Sequence, residues 1–173
     1  TSTEETVRYV GDIHLVHMPY SHSVATTVAL AISAWMVFVA LRRPRLGLAV
    51  ALGIASHLAL DLLTHAPDIT ILPFAAGPLL GLGLYAAAPL LGFALELGFG
   101  VFCWWYYRGS RRLLAAIVGF NLANVTMFTT AIVGVEGLLA GRPLLLAGVI
   151  GVQIVITLGV VGFFARPERA GLA

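Results

Sequence analysis

The sequence is short of charge. Only 10% of its 173 residues are charged, and 60% are hydrophobic, whereas a soluble globular domain carries about 25% charged residues. The mean hydropathy is +0.97. This composition excludes an ordinary soluble domain and predicts an integral membrane protein. The length fits one compact bundle better than two domains.

Lysine is absent and cysteine nearly so. All ten basic residues are arginines, which stand in short clusters between apolar runs and form no extended basic patch, so we predict no nucleic-acid partner. Cys103 is the single cysteine, which excludes an internal disulfide. The glycines form no phosphate-binding motif of the GxxxxGK[ST] kind, which argues against a nucleotide site.

Long apolar runs dominate what remains, and none alternates as a strand would. Helices satisfy their own backbone hydrogen bonds in lipid, so the runs predict an all-α integral membrane helix bundle of about five transmembrane helices. We expect an extramembrane segment over 1–23, a transmembrane domain over 24–166 and a cytoplasmic tail over 167–173. The predicted spans are 24–41, 46–65, 82–107 with a kink at Pro89, 113–139 and 143–165.

The arginines lie mostly at one end of these spans. Under the positive-inside rule, this end and the carboxyl terminus face the cytoplasm. The lipid bilayer is then the main partner. The opposite, outer end receives the amino-terminal segment and the loop over 66–82, together with most of the histidines.

Two polar stretches interrupt the apolar sequence: His17 to Ser23, and Ser56 to His65. His57 and Asp61 are four residues apart and share one face of a helix. Histidine and aspartate are costly in a bilayer, and imidazole with carboxylate is the ligand chemistry of a zinc-type site. We predict a metal site drawn from His17, His22, His57, Asp61 and His65, and leave Asp12, His14 and Asp68 out. The alternative is a structural His–Asp hydrogen bond between helices.

At these stretches the chain resembles a family of bacterial inner-membrane proteins described as membrane-bound metal-dependent hydrolases. The matching residues are His17-Met18-Pro19-Tyr20-Ser21-His22-Ser23, Ser56-His57-Leu58-Ala59-Leu60-Asp61, His65-Ala66-Pro67-Asp68, Leu80-Gly81-Leu82-Gly83-Leu84 and Glu96. The resemblance covers roughly residues 12–108. The family has Arg-Gly where this chain has Met18-Pro19.

The resemblance implies a multi-pass protein of the bacterial cytoplasmic (inner) membrane that holds a divalent ion near its outer face, with zinc as the expected metal. His22, His57 and Asp61 would bind the ion, and His17 or His65 would complete the ligand set. Glu96, near the centre of a span, is the predicted catalytic proton carrier. A lipid-linked ester or phosphoester is the expected substrate class.

Two other functions fit the same residues. The chain is alternatively a non-catalytic accessory subunit, whose apolar faces pack on other transmembrane subunits of a larger complex. It is alternatively a haem- or pigment-binding protein that uses His57 as an axial ligand. A carboxylate four residues from His57 favours a small ion over a macrocycle.

Overall fold

The computed structural model describes residues 2–3, 13–14, 22–75, 77–131 and 142–165. These residues are predominantly helical, which confirms the all-α prediction. The chain forms two compact units, one of residues 14–88 with 1–2, and one of residues 89–173 with 3–13. Two strands of two residues each, β1 (Ser2–Thr3) and β2 (Ile13–His14), pair with each other.

The first unit is built on two long helices that pack side by side, α1 (Val24–Ala40) and α2 (Pro44–Thr64). Ser23 caps α1, because its side chain accepts a hydrogen bond from the backbone N–H of Thr26. Pro44 opens α2, where its missing N–H costs nothing.

The turn between α1 and α2 is tight. Arg42 adopts a left-handed conformation with φ 58°, and the N–H of Arg43 bonds back to the carbonyl of Phe38 at 2.8 Å. Gly47 lets the helices approach, since a Cβ there would lie 2.8 Å from Cβ of Phe38. The close approach holds α1 against α2 from the turn onward.

The third predicted span is broken in two. A short helix, α3 (Leu84–Ala87), ends at Ala88, and α4 (Pro89–Tyr107) begins at the next residue. The sequence predicts a kink at Pro89. The structure has a full break there, because proline cannot donate the hydrogen bond that would continue α3. The first unit ends at this break.

The second unit packs three helices: α4, α5 (Arg111–Ala123) and α6 (Pro143–Phe164). The fourth predicted span, a continuous helix over 113–139, is wrong. Helix α5 ends at Ala123, and a 3₁₀ turn over Val125–Phe128 follows. The N–H of Asn124 bonds to the carbonyl of Asn121, an i to i−3 bond that tightens and ends the helix.

Two of the described helices are long and apolar enough to cross a bilayer, fewer than the five spans expected. They are α2, with hydropathy 1.9, and α4, with hydropathy 1.3. Helix α1 has 17 residues, so at about 1.5 Å per residue it falls short of a hydrocarbon core of about 30 Å. The apolar stretch Gly148–Phe164 of α6 is similarly short.

Candidate metal centre

The site lies in the first unit, where the start of α1 meets the loop that follows α2. The N–H of Thr70 bonds to the carbonyl of His22 at 2.9 Å, and the N–H of Val24 bonds to the carbonyl of Thr70 at 3.0 Å. These bonds form a parallel bridge between Ser23 and Thr70. Ser23 and Ile69 are completely buried beside it. The bridge fixes His22 next to the residues just before Thr70.

The loop over 65–83 folds back on itself and on the end of α2. Ile69 and Leu80 pair through hydrogen bonds of 3.1 and 2.8 Å, and the N–H of Gly83 bonds to the carbonyl of His65 at 2.7 Å. Gly81 is required here: its φ is +142°, and a Cβ would lie 2.4 Å from the carbonyl oxygen of Ala66. The Leu-Gly-Leu-Gly stretch therefore closes the loop that carries Asp68.

Five side chains follow one another as an alternating chain of imidazoles and carboxylates. Nε2 of His57 lies 3.4 Å from Oδ2 of Asp61, and Oδ1 of Asp61 lies 3.9 Å from Nε2 of His65. Nδ1 of His65 lies 3.9 Å from Oδ2 of Asp68, and Oδ1 of Asp68 lies 3.7 Å from Nδ1 of His22. The chain runs from an exposed imidazole, His57, to a buried one, His22.

His22, His65 and Asp68 converge most closely. Each offers one ligand atom, and these atoms lie within 4.8 Å of one another. Two imidazole nitrogens and one carboxylate oxygen match the three protein ligands of many catalytic zinc sites, which keep a fourth position for water or substrate. We refer to these three residues as the His22 cluster.

Two atoms of the His22 cluster are buried without a hydrogen bond. Among the residues the structure describes, neither Nδ1 of His22 nor Oδ1 of Asp68 has a hydrogen-bond partner. Their separation of 3.7 Å exceeds the 2.7–3.2 Å or so of a good N–H···O bond. Two ligands at about 2.0–2.2 Å from a tetrahedral ion are about 3.3–3.6 Å apart. The observed 3.7 Å is slightly longer than this, and closer to the spacing of two ligands on one ion than to a hydrogen bond.

Burial sets the protonation of His22. The residue is 8% exposed, and desolvation lowers its pKa below the ordinary 6.5, against the opposing pull of Asp68. The imidazole is therefore neutral near pH 7, the form that binds a metal ion. A salt bridge with Asp68 would need the protonated form, which burial disfavours.

His65 stands between two carboxylates. Its Nδ1 faces Asp68 and its Nε2 faces Asp61, which is 6% exposed. The rings of His22 and His65 meet edge to face with centroids 5.0 Å apart, and the ring of Tyr85 lies 5.5 Å from that of His65. Oδ1 of Asp61 faces the second ring nitrogen of His65 at 3.9 Å. A shift of about 1 Å would let Asp61 accept the ring N–H and fix the tautomer and orientation of a ligand.

The predicted site residues are distributed unevenly around this cluster. His22 and His65 belong to it, and Asp61 lies behind His65. The side chain of His57 is 74% exposed and contacts Asp61. His17 lies outside the described residues. Glu96 is half-buried on α4, in the second unit.

Asp68 is the residue that the sequence prediction left out. The proline in His65-Ala66-Pro67-Asp68 predicts only that the chain leaves the helix before Asp68, because proline cannot continue a helix. The helical spacing that favoured His57 and Asp61 carries no information about a residue in the following loop. Asp68 reaches His22 only through the bridge between Ser23 and Thr70.

The interior of the first unit is polar at this site. The buried polar and charged residues of the described chain all lie around it, namely His22, Ser23, Thr27, Asp61 and Thr64. The hydroxyls of Thr27 and Thr64 donate to the carbonyls of Ser23 and Leu60, both at 2.9 Å, so each is satisfied within its own helix. Within the described ranges, the buried side-chain atoms without a hydrogen bond are Nδ1 of His22 and Oδ1 of Asp68.

The chain matches no family model, no curated protein and no solved structure. The resemblance to the membrane-bound hydrolases is therefore carried only by the motif residues.

Proposed function

We propose that the protein is a membrane-embedded, metal-dependent hydrolase-like protein with a divalent ion, zinc by its donor set, in the His22 cluster. The observation that carries this proposal is the buried, unpartnered pair of Nδ1 of His22 and Oδ1 of Asp68, 3.7 Å apart, with His65 in reach. Buried polar atoms are nearly always hydrogen-bonded, so such a pair requires an explanation. A shared cation satisfies both atoms.

The residues around the cluster have separable roles in this proposal. His22, His65 and Asp68 bind the ion, and Asp61 orients His65 from the far side of its ring. A divalent ion bound there would polarise an oxygen of the ester or phosphoester and would lower the pKa of a water molecule. His57 contacts Asp61 on the exposed side and touches no member of the cluster in the contacts described. Glu96 as a proton carrier stays a sequence-based prediction.

Membrane embedding is supported by the distribution of polar and apolar residues, which is the reverse of that in a soluble protein. Buried residues make up 17% of the apolar window of α2 and 6% of that of α4. The core helix of a soluble protein passes the same hydropathy test but is mostly buried. Here the apolar side chains face outward and the buried site is polar, as expected of a protein whose solvent is lipid. A multi-pass protein of the bacterial inner membrane with a cytoplasmic carboxyl terminus fits this distribution and the arginine clusters.

The proposal is tested with the purified full chain in detergent. Elemental analysis without chelator should find about one divalent ion per chain. Hydrolysis should be measured on phosphatidate vesicles and on a soluble phosphate ester, before and after chelation. Chelator-sensitive hydrolysis supports the proposal, whereas a protein that neither carries nor takes up metal contradicts it.

An accessory subunit is the second candidate, and a specific observation favours it. Helix α6 exposes large apolar side chains along its length, including Leu144, Val155 and Leu158. Such a surface suits either lipid or the helices of another subunit. Under this function the five-residue chain of histidines and aspartates is structural, and the protein carries no metal.

A further inference from the structure

The loop that supplies Asp68 also carries a crown of exposed apolar side chains. Leu82 is 75% exposed and Phe74 is 69% exposed, and three more loop residues are exposed as well: Ile71, Leu72 and Leu79. We refer to these five residues as the apolar crown. Several large exposed apolar side chains in one loop are typical of a binding or membrane-contact surface.

The exposure of the apolar crown does not come from loose folding. The loop is fastened at both ends: Ala25 donates to the carbonyl of Ile71, Leu80 pairs with Ile69, and Leu82 donates to the carbonyl of Leu62. These bonds hold the crown beside the residues that build the His22 cluster. The outward direction of its side chains is therefore a property of the fold.

The sequence of the loop identifies lipid as the occupant of this surface. No charged residue occurs from Ile69 to Leu95. A loop in water of this length would ordinarily be polar or charged, and a protein-binding surface ordinarily has a polar rim. Leu63 near the end of α2 and Val28 near the start of α1, the helix ends that adjoin the loop, are exposed apolar residues as well.

The backbone of the loop limits how deep it can sit. An irregular backbone has polar groups that the hydrocarbon core cannot satisfy, and lipid-exposed loops do not occur there. Pro73 and Pro78 lack an N–H and so reduce this cost, but the carbonyl groups remain. The boundary between headgroups and acyl chains, about 5–10 Å into the leaflet, accommodates both the apolar side chains and the polar backbone.

We propose that the apolar crown inserts into the bilayer at the headgroup–acyl boundary, so that the His22 cluster is reached by membrane-resident amphiphiles. The insertion itself is independent of metal. The consequence for substrate class, a lipid phosphoester in preference to a soluble one, rests on the proposed function. Insertion would place the headgroup of a lipid, and not its acyl chains, at the level of the cluster.

Spin labels measure the insertion directly. Leu72→Cys and Leu79→Cys are each made in a Cys103→Ser background, labelled, and reconstituted in phosphatidylethanolamine–phosphatidylglycerol vesicles. Arg43→Cys, at the charged turn between α1 and α2, is the matched exposed control. At both crown positions the label should collide several-fold more often with oxygen than with a soluble nickel chelate, and the control should show the reverse.

Two outcomes overturn the insertion. Nickel access at the crown equal to that of Arg43→Cys would place the loop in water. Labels that are immobile and shielded from both oxygen and nickel would show that a protein, such as a second copy, covers the crown. Zinc content is measured on the same samples. A crown found in lipid on a protein that carries no zinc would support the insertion while contradicting the proposed function.

Discussion

Nδ1 of His22 lies 3.7 Å from Oδ1 of Asp68, and both atoms are buried. The two residues are brought together by backbone hydrogen bonds between the start of α1 and the loop after α2. The spacing is too long for a good hydrogen bond and close to that of two ligands on one ion. If this pair binds an ion, substitution of the residues that position it should weaken metal binding.

Asp61→Asn tests the orienting carboxylate. We expect zinc affinity to fall by about 10–100-fold, because the amide cannot accept the ring N–H of His65 as strongly as a carboxylate does. His57→Asn is the control, since the 74% exposed imidazole contacts only Asp61 among the described site residues. Competition with a zinc-binding dye measures both. Equal affinity in wild type and Asp61→Asn would remove Asp61 from the site.

Gly81→Ala tests the loop closure. A Cβ at this position would lie 2.4 Å from the carbonyl oxygen of Ala66, and φ is +142°. We expect a loss of about 1–3 kcal/mol in stability and weaker metal binding, because the strand pairing that places Asp68 must shift. Gly77→Ala, in the same loop, has no atom within 4 Å of the new Cβ and should be nearly neutral. Thermal unfolding of the two variants decides the point, and equal melting temperatures would contradict it.

The burial of His22 predicts a pH dependence in the metal-free protein. Its pKa is lowered from 6.5 by desolvation, so between the lowered value and 6.5 the unfolded chain binds more protons than the folded one. Stability is therefore full above about pH 6.5 and declines as the pH falls through this window. Thermal unfolding with chelator should show the decline in wild type and a smaller one in His22→Asn. Identical pH profiles would exclude His22 as its source.

The arginine clusters predict topology. The side chains of Arg42, Arg43 and Arg45 after α1, and of Arg108, Arg111 and Arg112 after α4, are exposed. Under the positive-inside rule both turns face the cytoplasm. We expect a reporter that is active only in the cytoplasm to be active when it is fused after Ala173. Activity of a periplasmic reporter at the same position would reverse the orientation.

The helix pair that frames the site could be predicted from sequence. The apolar runs placed α1 and α2 to within a few residues. The end of α5 could not be predicted from hydropathy. Apolar residues continue beyond Ala123, but Asn121 and Asn124 bond back to the carbonyls of Ile117 and Phe120, and the chain turns there. Hydropathy does not register such local competition for backbone hydrogen bonds.

The site itself could be predicted only in part. Helical spacing correctly placed Asp61 between His57 and His65, because a period of four residues is a local property. The position of Asp68 depends on a bridge between residues 23 and 70 and on a glycine at 81 that lets the loop close. Contacts of this range are not encoded in any short motif. The sequence therefore predicts His57 as a ligand and leaves Asp68 out, whereas the structure places Asp68 in the His22 cluster and leaves His57 out.

Zinc stoichiometry in three variants measures the central claim most directly. Wild type, His57→Ala and Asp68→Ala are purified without chelator and analysed for metal per chain. We predict about one ion in wild type and in His57→Ala, and none in Asp68→Ala, because a tight site does not survive loss of one of three protein ligands. A wild type without metal, or an Asp68→Ala variant that retains it while His57→Ala loses it, would contradict the assignment of the His22 cluster as the metal centre.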